Sequence, residues 1–335
     1  MKLTRSYLAI CAVVLTALFI AGCLDFSGEK DDTKTVTLYG FSVKGEVMDG
    51  TIIPAFKTQW KEESGDDIDF VTTYAGSGRI TNQVLMGANA EVMILSTEWD
   101  AIQLRKGGAV TTDWKALPNN GTVSISPWVI LVRKGNPKNI HDFPDLAADG
   151  IEIVHADPLT SGGACWSIFS IYGSELRRSS DLPEDEARQN AEKLVEDIVG
   201  NVISWQSSAR NALSQFTLGY GDALITYENE ALLSLDKDPD CEIIYPSSTI
   251  YSEHKVVIVD RNVKEEEREL IEAFVDYLFT IGSQEAFVDH YFRSPDEGVE
   301  DPYPEIADPF TVEFLGGWEE AHLDLIDGLF SDIRE

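Results

Sequence analysis

The sequence is short of cations, histidine and cysteine. Only 26 Lys and Arg stand against 58 Asp and Glu, a formal net charge of −32. Nucleic-acid binding needs clustered cations on the phosphate backbone, and with no basic stripe in the chain that function class is excluded. His141, His155, His254, His290 and His322 lack the close spacing of a zinc or two-metal shell, so neither a metal site nor a cofactor is expected. No G-x-S-x-G elbow surrounds Ser161, and a nucleophilic triad would have to be assembled from arbitrary partners, which argues against an enzyme. G-x-G-x-x-G and a lysine-bearing phosphate loop are both missing, which sets nucleotides aside. Beyond the N-terminus no apolar run approaches the ~20 residues that span a bilayer, so the chain is not a channel.

What is present begins with compartment. Lys2 and Arg5 precede an apolar run from Tyr7 to Ala21 that ends in Ile20-Ala21-Gly22-Cys23. This has the length of a signal-peptide core, and its end resembles the lipobox of bacterial and archaeal lipoproteins. The expectation is a signal peptide over 1–22, lipid attachment at Cys23, a lipid-anchored linker over 23–34, and a protein held at the outer face of the cell membrane. Acid clusters such as Glu265-Glu266-Glu267 read as solvated faces, and a surface this acidic suits a salty medium in which self-repulsion is screened. Cys165 and Cys241 pair in an oxidising exterior or stay as buried thiols; two cysteines carry no spacing information.

From Thr35 short β-branched runs alternate with amphipathic stretches: Thr35 to Tyr39, Ile68 to Val71, Val92 to Leu95, Glu152 to His155, Ala223 to Tyr227 and Lys255 to Asp260 as strands, with helical periodicity between them. This is the βα pattern of a mostly parallel sheet flanked by helices. The Gly/Pro turn after Val129 to Arg133 opens a second series, so two α/β lobes are expected: 35–125 as the first part of lobe 1, 126–247 as lobe 2, and 248–335 as the return to lobe 1. The tail with Trp318 and Leu323 to Phe330 is helical by pattern and is expected to pack on the first lobe.

Three loops rich in small residues follow strands and open helices: Tyr74 to Gly78, Thr160 to Ala164, and Ser207 to Arg210. A helix start leaves about four amides without intrahelical acceptors and carries a positive dipole end, so it holds anions without a full side-chain charge. In an open parallel sheet such loops lie at the carboxyl ends of strands, where ligands bind.

The run Leu131 to Lys138, the loop Thr160 to Ala164 with Trp166, Ser208-Ala209-Arg210, Gly221 to Ile225 with Glu228 to Ala231, and Gly76-Ser77-Gly78 resemble, in the same order, the periplasmic sulfate- and thiosulfate-binding proteins. That resemblance implies a type II periplasmic-binding-protein fold with crossover hinge strands, and the role of substrate-binding lipoprotein to an ABC permease and its ATPase, working as a monomer. It implies ligand donors at Gly76 and Ser77, at Ser161 with Gly162 and Gly163, and at the Ala209 amide. The family's indole donor falls at Tyr227, and the family's Ser-Tyr-Asp-Pro-Thr-Arg-Glu segment at Phe41 to Glu46, where Ser42 is the matching donor. The family arginine after Gly-Gly-Ala is Cys165. Sulfate is a bare acceptor and fits a donor-only site; a carboxylate from Glu228 or Glu46, or an accepting Tyr227, would favour hydrogen phosphate. Molybdate and tungstate stay open, as do a secreted hydrolase or a cell-surface sensor from other classes.

Overall fold

The computed structural model describes residues 33–237 and 240–335. The signal segment, Cys23 and the linker up to residue 32 lie outside the described residues. From Thr35 to Glu335 the chain forms one unit built on ten strands, of order β2-β1-β3-β9-β4-β7-β5-β6 along the main path. These are β1 Lys34–Phe41, β2 Ile68–Ala75, β3 Val92–Leu95, β4 Thr122–Arg133, β5 Ile153–Ala156, β6 Val202–Gln206, β7 Ala223–Tyr227, β8 Cys241–Ile244, β9 Thr249–Ile258 and β10 Pro309–Phe310. β8 pairs with β4 and β10 with β9, off that path.

The sheet has two parallel halves joined by two long antiparallel strands. β1 runs parallel to β3 in one half; β5 runs parallel to β6 and β7 in the other. β4 pairs with β9 from Thr122 to Pro127, then with β7 from Trp128 and with β8 from Ile130, while β9 continues onto β3 from Lys255. β4 and β9 are therefore the crossovers of a two-lobed mixed α/β fold. The strands expected at Val129 and Lys255 begin seven and six residues earlier, at Thr122 and Thr249. Their first halves carry Ser124, Ser126, Ser252 and His254, all buried, so the apolar run that marks a strand in the sequence starts late. The boundary expected between 125 and 126 falls inside β4; the one between 247 and 248 falls just before β9.

Between the strands lie the helices that the periodicity predicts, among them Ile53–Ser64, Ser77–Leu85, Glu98–Lys106, Glu184–Gly200 and Arg268–Tyr277. In the last, Leu270, Phe274 and the following Leu278 are buried, as their spacing requires. The C-terminal segment departs from expectation. It is helical from Trp318 to Arg334, but it touches both halves: Trp318 packs edge-on to Trp166 at 4.5 Å and Phe330 on Trp205 at 5.6 Å, while His322 stacks on Trp99 at 4.2 Å. Aromatic anchors at both ends of the segment outweigh a one-lobe placement.

Beneath the crossover, Lys44 is wholly buried. Its Nζ bonds Ser124 Oγ and lies 3.4 Å from the centroid of the Phe292 ring, and Ser124 Oγ is 2.8 Å from His254 Nδ1. Burial pushes the amine well below the ordinary lysine range.

Candidate functional site: a closed cleft at three helix starts

The three small-residue loops each open a helix. Ser77–Leu85 follows β2 with Gly76 at its N-cap, Gly162–Arg178 follows β5 with Ser161, and Ala209–Thr217 follows β6 with Ser208. The first belongs to one half of the sheet and the other two to the opposite half, so the loops approach across the crossover strands. They are in contact. A Cβ added to Gly76 would lie 2.7 Å from the Ser207 carbonyl oxygen and closer still to that of Thr160; one on Gly162 would lie 2.9 Å from Thr97 Cγ2. Glycine is needed at 76 for this approach and not for its backbone, whose φ of −55° and ψ of 135° suit any residue.

The amides of Ser77, Gly162, Gly163 and Ala209 find no acceptor among the described residues, as expected for the first turn of a helix. Together with three dipole ends they make a cluster of hydrogen-bond donors. Ser161 is buried and its hydroxyl caps no amide, whereas the Ser208 hydroxyl accepts from the Asn211 amide at 3.2 Å. Ser77 differs from the sequence expectation in one respect. Its hydroxyl donates to Asp100 Oδ2 at 2.6 Å and accepts from the Ser96 amide at 3.0 Å, so only its backbone N–H is uncommitted. Burial raises the Asp100 pKa, opposed by hydrogen bonds from Ser77 and Thr97.

Tyr227, at the end of β7, is buried with its hydroxyl 2.7 Å from Ser96 Oγ across the cleft. Burial pushes the phenol far up and keeps it protonated, against the lowering influence of the Ser96 bond. A second bond crosses beside it, Trp166 Nε1 donating to the Ser96 carbonyl at 2.7 Å. Ser42 follows the end of β1 and is half-buried; its neighbour Phe41 lies 6.0 Å from the Tyr227 ring, centroid to centroid. Gly76, Ser77, Ser161, Gly162, Gly163 and Tyr227 thus meet, Ala209 opens the helix capped by Ser208, and Ser42 is the chain neighbour of Phe41, which packs on the Tyr227 ring.

The carboxylates that would favour a protonated ligand are committed to arginines. Arg210 pairs with the buried Glu230 at 2.7 and 2.8 Å and reaches across to Glu46, and Arg293 holds Glu228 in two bonds of 2.7 Å. Burial disfavours ionised Glu46, but pairing with Arg210 outweighs it and holds the acid below its ordinary range. Ser96, Asp100, Trp166 and the Glu46–Arg210 pair were not assigned to the site from the sequence. Ser96-Thr97 carries the signal of the other loops, small polar residues between a strand and a helix. Cys165 and Cys241 are both buried and no disulfide joins them; burial raises the Cys165 pKa. Among the described residues no cluster of His, Cys, Asp or Glu could hold a metal ion, and no helix is long and apolar enough to cross a membrane.

Residues 43–293 match the family model of the bacterial extracellular solute-binding proteins. The chain is 36% identical to the sulfate-binding protein of Synechococcus elongatus over 99% of its own length and 97% of the relative's. It is 33% identical to the thiosulfate-binding protein of Pseudomonas aeruginosa, over 82% and 84% of the two chains. Among solved structures, the sulfate-binding protein SubI from Mycobacterium tuberculosis H37Rv superposes with a TM-score of 0.79 at 30% identity, covering 88% of this chain and 100% of that one. These relatives are binding proteins and not enzymes. The chain belongs to the bacterial extracellular solute-binding proteins, in the group that holds the sulfate- and thiosulfate-binding proteins.

Proposed function

We propose that the protein captures a tetrahedral oxyanion, sulfate or thiosulfate, between its two lobes and delivers it to the permease and ATPase of an ABC importer. The ligand is held by the amides of Ser77, Gly162, Gly163 and Ala209, the Ser161 hydroxyl, the Tyr227 hydroxyl and a donor at Ser42, with Gly76 giving the close approach. The lobes are those bounded at residues 125/126 and 247/248, and the protein works as a monomer, tethered through a lipid on Cys23 outside the cell membrane.

The supporting observation is chemical: amides without acceptors converge from opposite halves of the sheet, while Glu46, Glu228 and Glu230 are neutralised by arginines. A fully ionised anion meets donors there and no uncommitted carboxylate. About seven hydrogen bonds to a charged ligand, at roughly 1.5–3 kcal/mol each, give a gross ~10–20 kcal/mol. Freezing the ligand and closing the lobes subtracts at least ~4 kcal/mol, and the ~6–16 kcal/mol left corresponds to a dissociation constant of roughly tens of micromolar or tighter.

The test is calorimetric titration of the mature protein with sulfate, thiosulfate, phosphate, molybdate and tungstate. Tight sulfate or thiosulfate binding is expected. Preference for phosphate, molybdate or tungstate keeps the importer and overturns the substrate. Absence of binding to any oxyanion, or turnover of an ester or phosphatase substrate, overturns the site in favour of a sensor or a hydrolase.

A further inference from the structure

Ser96 and Tyr227 are 131 residues apart, on opposite halves of the sheet, and their hydroxyls are 2.7 Å apart. Both are held from several sides. The Ser96 amide donates to Ser77 Oγ, and its carbonyl accepts from Trp166 Nε1. The Tyr227 ring packs on Trp128 at 4.5 Å, His254 at 5.6 Å and Phe41 at 6.0 Å. The hydroxyl end faces the helix start: a Cβ on Gly163 would lie 2.7 Å from Tyr227 Oη.

Two hydroxyls bring two hydrogens. One is spent in the mutual bond, and the other finds no acceptor among the described residues. Either oxygen can take the donor role, so the pair offers a ligand one hydrogen and, on the same two atoms, lone pairs that accept. An indole at this position would donate only. The surrounding amides cannot accept either, and the nearby carboxylates are engaged, Glu46 and Glu230 with Arg210, Glu228 with Arg293, Asp100 with Ser77 and Thr97, so the other groups of the proposed site able to accept are the hydroxyls of Ser161 and Ser42.

We propose that the Tyr227–Ser96 hydroxyl pair sets the specificity of the cleft, widening its substrate class from fully ionised tetrahedral anions to singly protonated ones such as hydrogen phosphate. A bare dianion takes the spare hydrogen. A protonated one turns its own O–H onto a lone pair of the pair and is not left with a buried, unsatisfied donor. The inference rests on the oxyanion reading of the cleft.

The experiment is titration of the wild type, the double variant Tyr227→Trp with Ser96→Ala, Tyr227→Phe and Ser96→Ala with sulfate and with inorganic phosphate, reading the ratio of the two affinities, with thermal melts to show that each variant folds. In the wild type both anions bind. The double variant, which leaves an indole donor and no hydroxyl, shifts the ratio toward sulfate by at least about tenfold, the effect of one hydrogen bond to a charged ligand. Tyr227→Phe and Ser96→Ala each keep one hydroxyl, which still offers one hydrogen and a lone pair, and hold the ratio within about threefold of the wild type. A double variant that weakens both anions together and leaves the ratio fixed, as a merely structural role would, overturns the proposal. So does sulfate binding with no detectable phosphate binding in the wild type, while the oxyanion reading stands. If neither anion binds the wild type, the oxyanion reading itself has failed.

Discussion

Replacing Gly76 with alanine tests whether the lobes must close to bind. The added Cβ would sit 2.7 Å from the Ser207 carbonyl oxygen and nearer to that of Thr160. Carbon to carbonyl-oxygen contacts settle at roughly 3.3–3.6 Å, so the loops must part by about 1 Å. The two bonds that cross beside the site, Ser96 to Tyr227 and Trp166 to Ser96, are 2.7 Å each and would stretch beyond hydrogen-bonding range. Each contributes about 1 kcal/mol, and weakening one donor to a charged ligand adds ~1.5–3 kcal/mol. The total of roughly 3–5 kcal/mol corresponds to a hundredfold or greater loss of sulfate affinity, at about 1.4 kcal/mol per tenfold. With the lobes parted in the absence of ligand, the protein bears only the alanine-for-glycine change at an N-cap, worth under ~1 kcal/mol. Its melting temperature therefore moves by no more than about 2–4 °C. Gly200→Ala, where an added Cβ meets nothing within 4 Å, is the control. A folded Gly76→Ala protein that binds sulfate within about threefold of the wild type refutes the closed geometry.

Four further outcomes follow from the structure. Arg210→Ala leaves Glu230 buried without its cation, a loss of about 3–5 kcal/mol visible in urea unfolding, whereas Glu46→Gln, on the half-exposed side of the pair, costs under about 1 kcal/mol. Lys44→Met replaces a buried amine with an apolar chain of similar length among Phe41, Phe287 and Phe292, and raises the melting temperature; a lowered one would show that the charge is retained and held by the rings. His155 is buried with its pKa lowered to about 4, mainly by burial, from an unfolded value near 6.5. The unfolded chain then takes up a proton that the folded one refuses, so stability is full above pH ~6.5 and falls by about 3 kcal/mol toward pH 4; His155→Gln flattens that part of the profile. With a formal charge of −32, the protein is also expected to melt at a higher temperature in molar salt than at low salt, and equal melting temperatures would remove the case for salt adaptation.

How far the sequence carries is visible element by element. Val92 to Leu95 and Ala223 to Tyr227 are legible because an apolar run bounded by polar residues has one reading in a βα series, and both stand at those residues in the structure. The crossover strands are half legible. Their shared segment alternates serine, histidine and lysine with other residues, and those polar groups are satisfied only by partners distant in the chain, such as Lys255 Nζ on Thr122 Oγ1 at 2.7 Å. In the site, the loops at Ser77, Ser161 and Ala209 announce themselves through glycine and serine at helix starts. What a single sequence cannot announce is commitment. Whether the Ser77 hydroxyl donates to a ligand or to Asp100, and whether Glu46 is free or paired with Arg210, depends on contacts 23 and 164 residues apart.

The central claim, that backbone amides at helix starts hold the anion, is tested most directly by Ala209→Pro. Proline is accepted at the first position of a helix, and Ser208 before it is extended, with φ −162° and ψ 162°, as a residue preceding proline prefers. The change deletes one N–H from the site and leaves the side-chain donors in place. In calorimetric titration with sulfate, beside a thermal melt to confirm the fold, the account predicts a loss of about 1.5–3 kcal/mol, roughly ten- to hundredfold in affinity. A folded Ala209→Pro protein with wild-type sulfate affinity would contradict it.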